Sequence, residues 1–231
     1  MLTLTCEDAV QGLSSLADQS VDLIFTDPPY GIQGHQLHRH YNRDESQIVP
    51  GYCEVPADQY AEFSRSWIAQ AERVLKPTGS MYIVSGYTNL HHILNALHST
   101  DLREINHIVA EYSFGVYTRN KWVSSHYHVL YWAKRKPYFN GAARFSDTGE
   151  SYRDRLSVQT LKREYQPGQV RNKNQLPVSF VKKFIEYSTR PGDVVVDPFA
   201  GSFSTGRAAD QLGRHCVGFD LNPAAVEAFQ S

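Results

Sequence analysis

Val21-Asp22-Leu23-Ile24-Phe25-Thr26-Asp27-Pro28-Pro29-Tyr30 is an apolar run that stops on an acid and two prolines. Residues 21–26 read as a short buried strand. Prolines lack amide donors and fix φ, so the strand cannot continue through them. The chain must leave the sheet there in a stiff, extended segment. That segment places the Asp27 carboxylate, the Pro28 carbonyl and the Tyr30 ring at the carboxyl end of a strand. Open α/β sheets bind ligands at that edge. The combination suits a planar base that carries an exocyclic amine.

A second strand-to-loop signal lies far downstream. Val194-Val195-Val196-Asp197-Pro198-Phe199-Ala200-Gly201-Ser202 reads as a strand, a small-residue loop and a helix start. Gly201 lets the backbone approach a ligand closely. Helix-start amides and Ser202 can donate to a carboxylate. Asp197, at the strand end, can accept from an ammonium. The next strand ends Val217-Gly218-Phe219-Asp220, and an acid there holds ribose hydroxyls in nucleotide-binding folds. An amino-acid head plus a ribose points to S-adenosylmethionine more than to NAD, whose three-glycine fingerprint is missing. Each acid also has a plainer reading. Asp27 can form a turn, Asp8 and Asp197 can cap helices, and Asp220 can be a surface acid.

Outward from these motifs, strands read at 1–5, 21–26, 80–84, 105–112, 128–133, 194–196 and 215–219. Helices read at about 9–16, from 57 to the Lys76-Pro77-Thr78-Gly79 stop, from a Thr88 cap to about 98, from Pro177, from 202 to about 212, and after Asn222-Pro223. The alternation predicts an α/β fold with a mostly parallel, seven-stranded sheet and helices on both faces. Residues 1–231 fit a single domain. Residues 31–56 and 137–174 lack periodicity and read as irregular, functional segments.

Composition adds limits. The chain has 231 residues, 41% hydrophobic and 12% aromatic, with a net charge of −1. No apolar stretch approaches the length of a membrane span. Cys6, Cys53 and Cys216 have no ligand-like spacing, and free thiols in a reducing cytoplasm are the simplest reading. His35, His38 and His40 form a cluster by count alone and read as a loop, so no metal is expected. Basic residues at 134–136 and 162–173 offer phosphate contacts. Trp67 and Trp132 read as core.

These motifs resemble the β-group of amino DNA methyltransferases, in which an Asp-Pro-Pro-Tyr motif precedes the cofactor motif, a circularly permuted order. Val74-Leu75-Lys76-Pro77-Thr78-Gly79-Ser80, residues 125–134, Asn174-Gln175-Leu176-Pro177 and Glu7-Asp8-Ala9 are similar to further motifs of that family. Three positions depart from its pattern: Phe203 replaces a usual glycine, Leu176 a usual Lys and Tyr127 a common acid.

The resemblance implies a Rossmann-like fold and methyl transfer from S-adenosyl-L-methionine to adenine N6 in double-stranded DNA. The base would flip out and accept the methyl group directly, in line, without a covalent intermediate. Asp27, Pro28, Pro29 and Tyr30 are the implied catalytic residues. Asp8, Ala9, Asp27, Gln175, Asp197, Phe199, Ala200, Gly201, Ser202, Asp220 and Leu221 are the implied cofactor residues. Residues 31–56 and 137–174 are the implied DNA-facing, target-recognition segments, and within them Arg39, Arg43, Arg153, Arg155, Arg163, Arg171 and Lys173 are candidate DNA contacts. A bacterial or phage origin, a homodimer and a cytoplasmic location fit the resemblance, while a restriction endonuclease partner is left open. Cytosine-N4 transfer, RNA or protein amide transfer, and a DNA-binding subunit without activity are the rival readings. An Asp rather than a Ser at position 27 favours adenine.

Overall fold

Strand β2 (Val21–Thr26) ends where Asp27-Pro28-Pro29 begins, as its prolines require. The structure, a computed structural model, describes residues 1–31, 55–113, 115, 117–162, 164 and 175–230. Around β2 the chain runs β1 (Leu2–Cys6), α1 (Ala9–Ser15), β2, α2 (Tyr60–Val74), β3 (Leu75–Ser85), α3 (Leu90–His98), β4 (Arg103–Glu111) and β5 (His126–Ala133). It continues α4 (Thr148–Asp154), β6 (Val158–Thr160), α5 (Val178–Ser188), β7 (Val194–Asp197), α6 (Ser204–Gln211), β8 (His215–Asp220) and α7 (Pro223–Gln230).

The strands form one sheet in the order β1-β8-β7-β2-β3-β5-β4-β6. All neighbours are parallel except β5, which runs antiparallel to β3 and β4. From β2 the chain moves to β3 on one side. From β7 it moves to β8 on the other. The order therefore reverses between β2 and β7, which makes their carboxyl ends a topological switch point, where such sheets bind ligands.

Successive side chains point to opposite faces of the sheet, so each strand feeds two cores. Leu23, Phe25, Tyr82, Val84 and Tyr131 pack under α5, α6 and α7 through Val181, Phe184, Ala208 and Val226. Ile24, Met81, Ile83, Leu130 and Trp132 pack under α1, α2 and α3 through Leu13, Trp67, Ile68, Ile93 and Leu97. The stripe Tyr60, Trp67, Ala71 and Val74 is the buried face of α2. Trp67 and Trp132 are core residues.

Four expectations are corrected. The sheet has eight strands among the described residues rather than seven, because β6 adds to the free edge of β4. Residues 137–174 are not irregular throughout, since they contain α4 and β6. Asp154 binds this segment to α5. It pairs with Arg144 at 2.9 Å and Lys183 at 2.8 Å, and accepts from the Tyr187 hydroxyl at 2.6 Å.

The Lys76-Pro77-Thr78-Gly79 turn ends α2 but does not delay β3, which begins at Leu75. Val21 faces Leu75 while Leu23 faces Ser80, so the turn is a bulge within the strand. Lys76 closes it on Asp22 at 2.7 Å. Finally, Thr88 does not cap α3. Asn89 occupies the capping position, makes no cap hydrogen bond, and uses its amide elsewhere. Asn222 does cap α7, accepting from the Ala224 amide at 3.1 Å. Among the described residues no helix is long and apolar enough to cross a membrane.

Candidate active site

The tetrad leaves β2 as a braced loop. The Tyr30 hydroxyl donates to Asp27 Oδ1 at 2.8 Å. Tyr60 on α2 donates to the Pro29 carbonyl at 2.7 Å. The Asn89 amide donates to the carbonyls of Tyr30 at 2.7 Å and Gly31 at 3.3 Å. Gly31 holds φ +67, and a Cβ there would lie 2.5 Å from the Tyr60 ring, so only glycine closes this turn. Among the described residues no donor reaches the Pro28 carbonyl. One carboxylate and one carbonyl acceptor thus stand beside a phenol ring on a fixed backbone.

Opposite the tetrad, Tyr127 at the start of β5 lies 6.3 Å from the Tyr30 ring and 4.8 Å from Tyr112. Sequence reasoning marked Tyr127 only as a departure from the family pattern. Tyr60 was legible as helix core, but its hydroxyl contact was not, because α2 and the tetrad are joined through residues 32–54.

The second loop is tied to the first across the switch point. Leu23 and Ile24 face Val195 and Val196, so Asp197 emerges beside Thr26. The Thr26 hydroxyl donates to Asp197 Oδ1 at 2.8 Å, and the Phe199 amide donates to the same oxygen at 3.2 Å. Asp197 is only 4% exposed. Burial pushes its carboxyl up to about 6, against the opposing pull of the Thr205 and Thr26 hydroxyls and the Phe199 amide. Its contacts make Asp197 the internal anchor of the loop.

Asp220 braces the same loop from the end of β8. It accepts from the Gly201 amide at 2.7 Å and the Asn222 amide at 2.8 Å, and it remains partly exposed. Gly201 has φ +49 and open space where a Cβ would stand. Phe199 packs between Phe63 at 5.5 Å and the edge of Trp67 at 5.4 Å. Ala200 is buried, its amide bonded to the Phe219 carbonyl at 2.9 Å. Ser202 precedes α6, which starts at Ser204. The Gln175 amide donates to Ser204 Oγ at 3.0 Å, and Ser204 Oγ donates to the Leu176 carbonyl at 2.8 Å.

Phe203, the residue in place of a usual glycine, adopts φ 57 and ψ 40, a conformation that glycine favours. Its ring is fully buried and meets Phe229 edge-on at 5.0 Å. The unusual side chain therefore fills core beneath the loop.

Asp8 caps α1, accepting from the Val10 amide at 2.9 Å and the Gln11 amide at 3.4 Å. Because Cys6 pairs with Asp220, Asp8 and Ala9 emerge beside Asp220 and the exposed Leu221. The residues expected to hold a cofactor thus gather at the carboxyl edge of β1, β8 and β7. A partly exposed acid, a glycine under open space and an exposed apolar side chain fit a ribose and its attached groups, so the residues present suit a nucleoside cofactor.

Arg153 and Arg155 are exposed at the end of α4, beside β6. That strand stands four places from β2, roughly 19 Å across the sheet. Arg39, Arg43, Arg163, Arg171 and Lys173 lie outside the described residues, as do His35, His38, His40 and Cys53. Cys6 and Cys216 are free thiols.

An α/β sheet with an acid-carbonyl-ring tetrad and a nucleoside-type loop at its switch point fits the class of methyltransferases that act on amino groups. Comparison with known proteins gives the family. The sequence pattern described as DNA methylase, the N6/N4 methyltransferase family, matches residues 21–231. The chain belongs to this family. It is similar to the type II methyltransferase M.HinfI of Haemophilus influenzae, 27% identical over 97% of this chain. The chain spans 66% of that relative's length. Its fold matches the PvuII DNA methyltransferase, described as cytosine-N4-specific, with a TM-score of 0.78 and 17% identity, over 98% of this chain and 84% of the other. It also matches TTHA0409 of Thermus thermophilus in complex with S-adenosyl-L-methionine. There the TM-score is 0.70 at 21% identity, over 98% and 90% of the two chains.

Proposed function

We propose that the chain transfers a methyl group from S-adenosyl-L-methionine to the N6 amine of adenine in duplex DNA. The observation that carries this reading is the tetrad, in which the Asp27 carboxylate and the Pro28 carbonyl stand beside the Tyr30 ring on a backbone braced by Tyr60 and Asn89. An exocyclic amine has two N–H bonds, and two acceptors at one site match them. Accepting both keeps electron density on nitrogen and turns its lone pair outward. The target must leave the duplex stack to reach this loop, and Tyr30 then supplies a stacking face. Asp27 or a water receives the proton released once nitrogen has gained the methyl group.

The cofactor, when bound, supplies a sulfonium methyl as the electrophile. Asp220 is assigned to its ribose hydroxyls, and Gly201 and Ser202 to its carboxylate. Asp8, Ala9, Phe199, Ala200 and Leu221 are assigned to the adenosine side. Asp27, Gln175 and Asp197, expected as cofactor contacts, are assigned instead to the target amine, to holding Ser204 and to anchoring the loop from within. Arg153 and Arg155 are assigned to DNA phosphates. Asp27, an acid rather than a hydroxyl, favours adenine over cytosine, the base named for one fold relative. The family resemblance also implies a homodimer, which sedimentation velocity would show as a single dimeric species.

Incubation with tritiated S-adenosyl-L-methionine tests the acceptor class. Label in unmodified duplex DNA is expected. Label in RNA or protein alone would overturn the reading.

A further inference from the structure

We propose that the tip of the β4–β5 hairpin, residues 117–122, is a DNA-contacting element. In this element the rings of Trp122 and Tyr117 stack on bases beside the target, and Arg119 and Lys121 face phosphates. The inference rests on the DNA methylase reading and extends it to a segment with no role so far.

Thr26 faces Ile83, and Ser85 faces His128, so β5 begins at the edge where the tetrad leaves β2. Glu111 faces His126 as the last pair of the β4–β5 ladder, and the Tyr112 amide then donates to the Ser125 carbonyl at 2.7 Å. The stem touches the site directly, through Tyr127 at 6.3 Å from the Tyr30 ring. An arm of about five residues beyond that stem reaches no more than roughly 18 Å. The tip is therefore confined to the surroundings of a base held at the tetrad.

A Cβ on Gly115 would lie 2.3 Å from the Ser124 carbonyl oxygen and 2.6 Å from Val123, so the two arms pack closely. The Thr118 hydroxyl donates to the Lys121 carbonyl and fastens the turn. This shaped hairpin holds Trp122 96% exposed and Tyr117 79% exposed. The other two tryptophans are buried. Large rings left in water at one projecting point mark an interaction site.

Residues 112–125 contain Arg119 and Lys121 and no acid, in a chain whose net charge is −1. Exposed rings interleaved with cations suit bases and phosphates together. A flipped target leaves neighbouring bases with an open face on which an indole can stack.

The test uses acrylamide quenching of tryptophan fluorescence in the full chain. Trp122 is the accessible indole, because Trp67 and Trp132 are buried. Binding to a fluorescein-labelled, unmodified duplex is followed separately by anisotropy. Saturation with duplex should lower the quenching constant at least threefold. Trp122→Ala should raise the Kd for the duplex about tenfold, with the Kd for S-adenosyl-L-methionine unchanged, and Trp122→Phe should restore most of it. Arg119→Ala with Lys121→Ala should reduce the slope of log K against log salt by about 2. Duplex bound with Trp122 still fully quenchable overturns the proposal and leaves the DNA reading standing. Neither duplex binding nor transfer to DNA overturns both. Shielding that follows protein concentration without DNA makes the tip a self-association surface and also overturns the proposal.

Discussion

The Tyr30 hydroxyl donates to Asp27 Oδ1 at 2.8 Å, so the ring assigned to the base and the acid assigned to its amine form one unit. Tyr30→Phe keeps the ring and removes this bond. Hydrogen bonds to charged groups contribute about 1.5–3 kcal/mol, so kcat should fall roughly ten- to a hundredfold with the KM for DNA little changed. Tyr30→Ala should raise KM as well. Asp27→Ala should abolish transfer while calorimetry shows the cofactor bound as before. Near-normal turnover of that variant would refute the assignment of Asp27.

Asp220 accepts from the Gly201 and Asn222 amides, and its proposed ligand role uses the same carboxylate. Asp220→Ala leaves the loop amide without its acceptor and removes the ribose contact. The Kd for S-adenosyl-L-methionine should rise at least tenfold by calorimetry, in line with about 1.5–3 kcal/mol for a charged hydrogen bond. An unchanged Kd would remove Asp220 from the cofactor site.

Phe203 and two glycines form a packed set. A Cβ on Gly206 would lie 2.4 Å from the Phe203 ring, and one on Gly218 would lie 2.5 Å from it. Gly206→Ala should therefore destabilise the protein by about 1–3 kcal/mol through overpacking. In a Phe203→Gly background the ring is gone, and Ala is favoured over Gly in a helix by up to about 1 kcal/mol. Urea unfolding of the four proteins gives the coupling. Equal costs of Gly206→Ala in both backgrounds would contradict this packing.

Asp197 makes stability depend on pH in a defined direction. Its folded value of about 6 lies above its ordinary 3.8, so the fold favours the protonated form. Stability from this group is complete below pH 4, declines as pH rises through the window from 4 to 6, and is lost above it. A shift of about two units corresponds to roughly 3 kcal/mol. His128 acts oppositely over an overlapping range, since burial, His107 and His126 lower it to about 4. The readout is thus the difference between Asp197→Asn and the unaltered protein. The variant should gain relative stability from pH 4 to pH 6 in urea midpoints. A constant difference would show that Asp197 is not buried as a titrating acid.

Much of this was legible because strong local signals and long-range structure agreed. Val21 to Thr26 and Val194 to Val196 are apolar strands broken by proline or small-residue loops, and each placed its acid at a strand end. Where the signal was weak, the reading failed for physical reasons. The strand Val158–Thr160 has three residues, too few to show a period. The helix Thr148–Asp154 buries only Ser151 and is held by ion pairs at Asp154, so it carries no apolar stripe. Thr88 and Asn89 both fit a helix cap, and only tertiary contact with Tyr30 shows that Asn89 serves the tetrad. The Thr26–Asp197 bond joins residues 171 apart, beyond any local pattern.

The central claim is that this tetrad methylates adenine at N6. Duplex DNA incubated with the protein and S-adenosyl-L-methionine can be digested to nucleosides and resolved by mass spectrometry. The account predicts N6-methyladenine, absent when Asp27→Ala replaces the active chain. N4-methylcytosine in its place, or unmodified nucleosides alone, would contradict it.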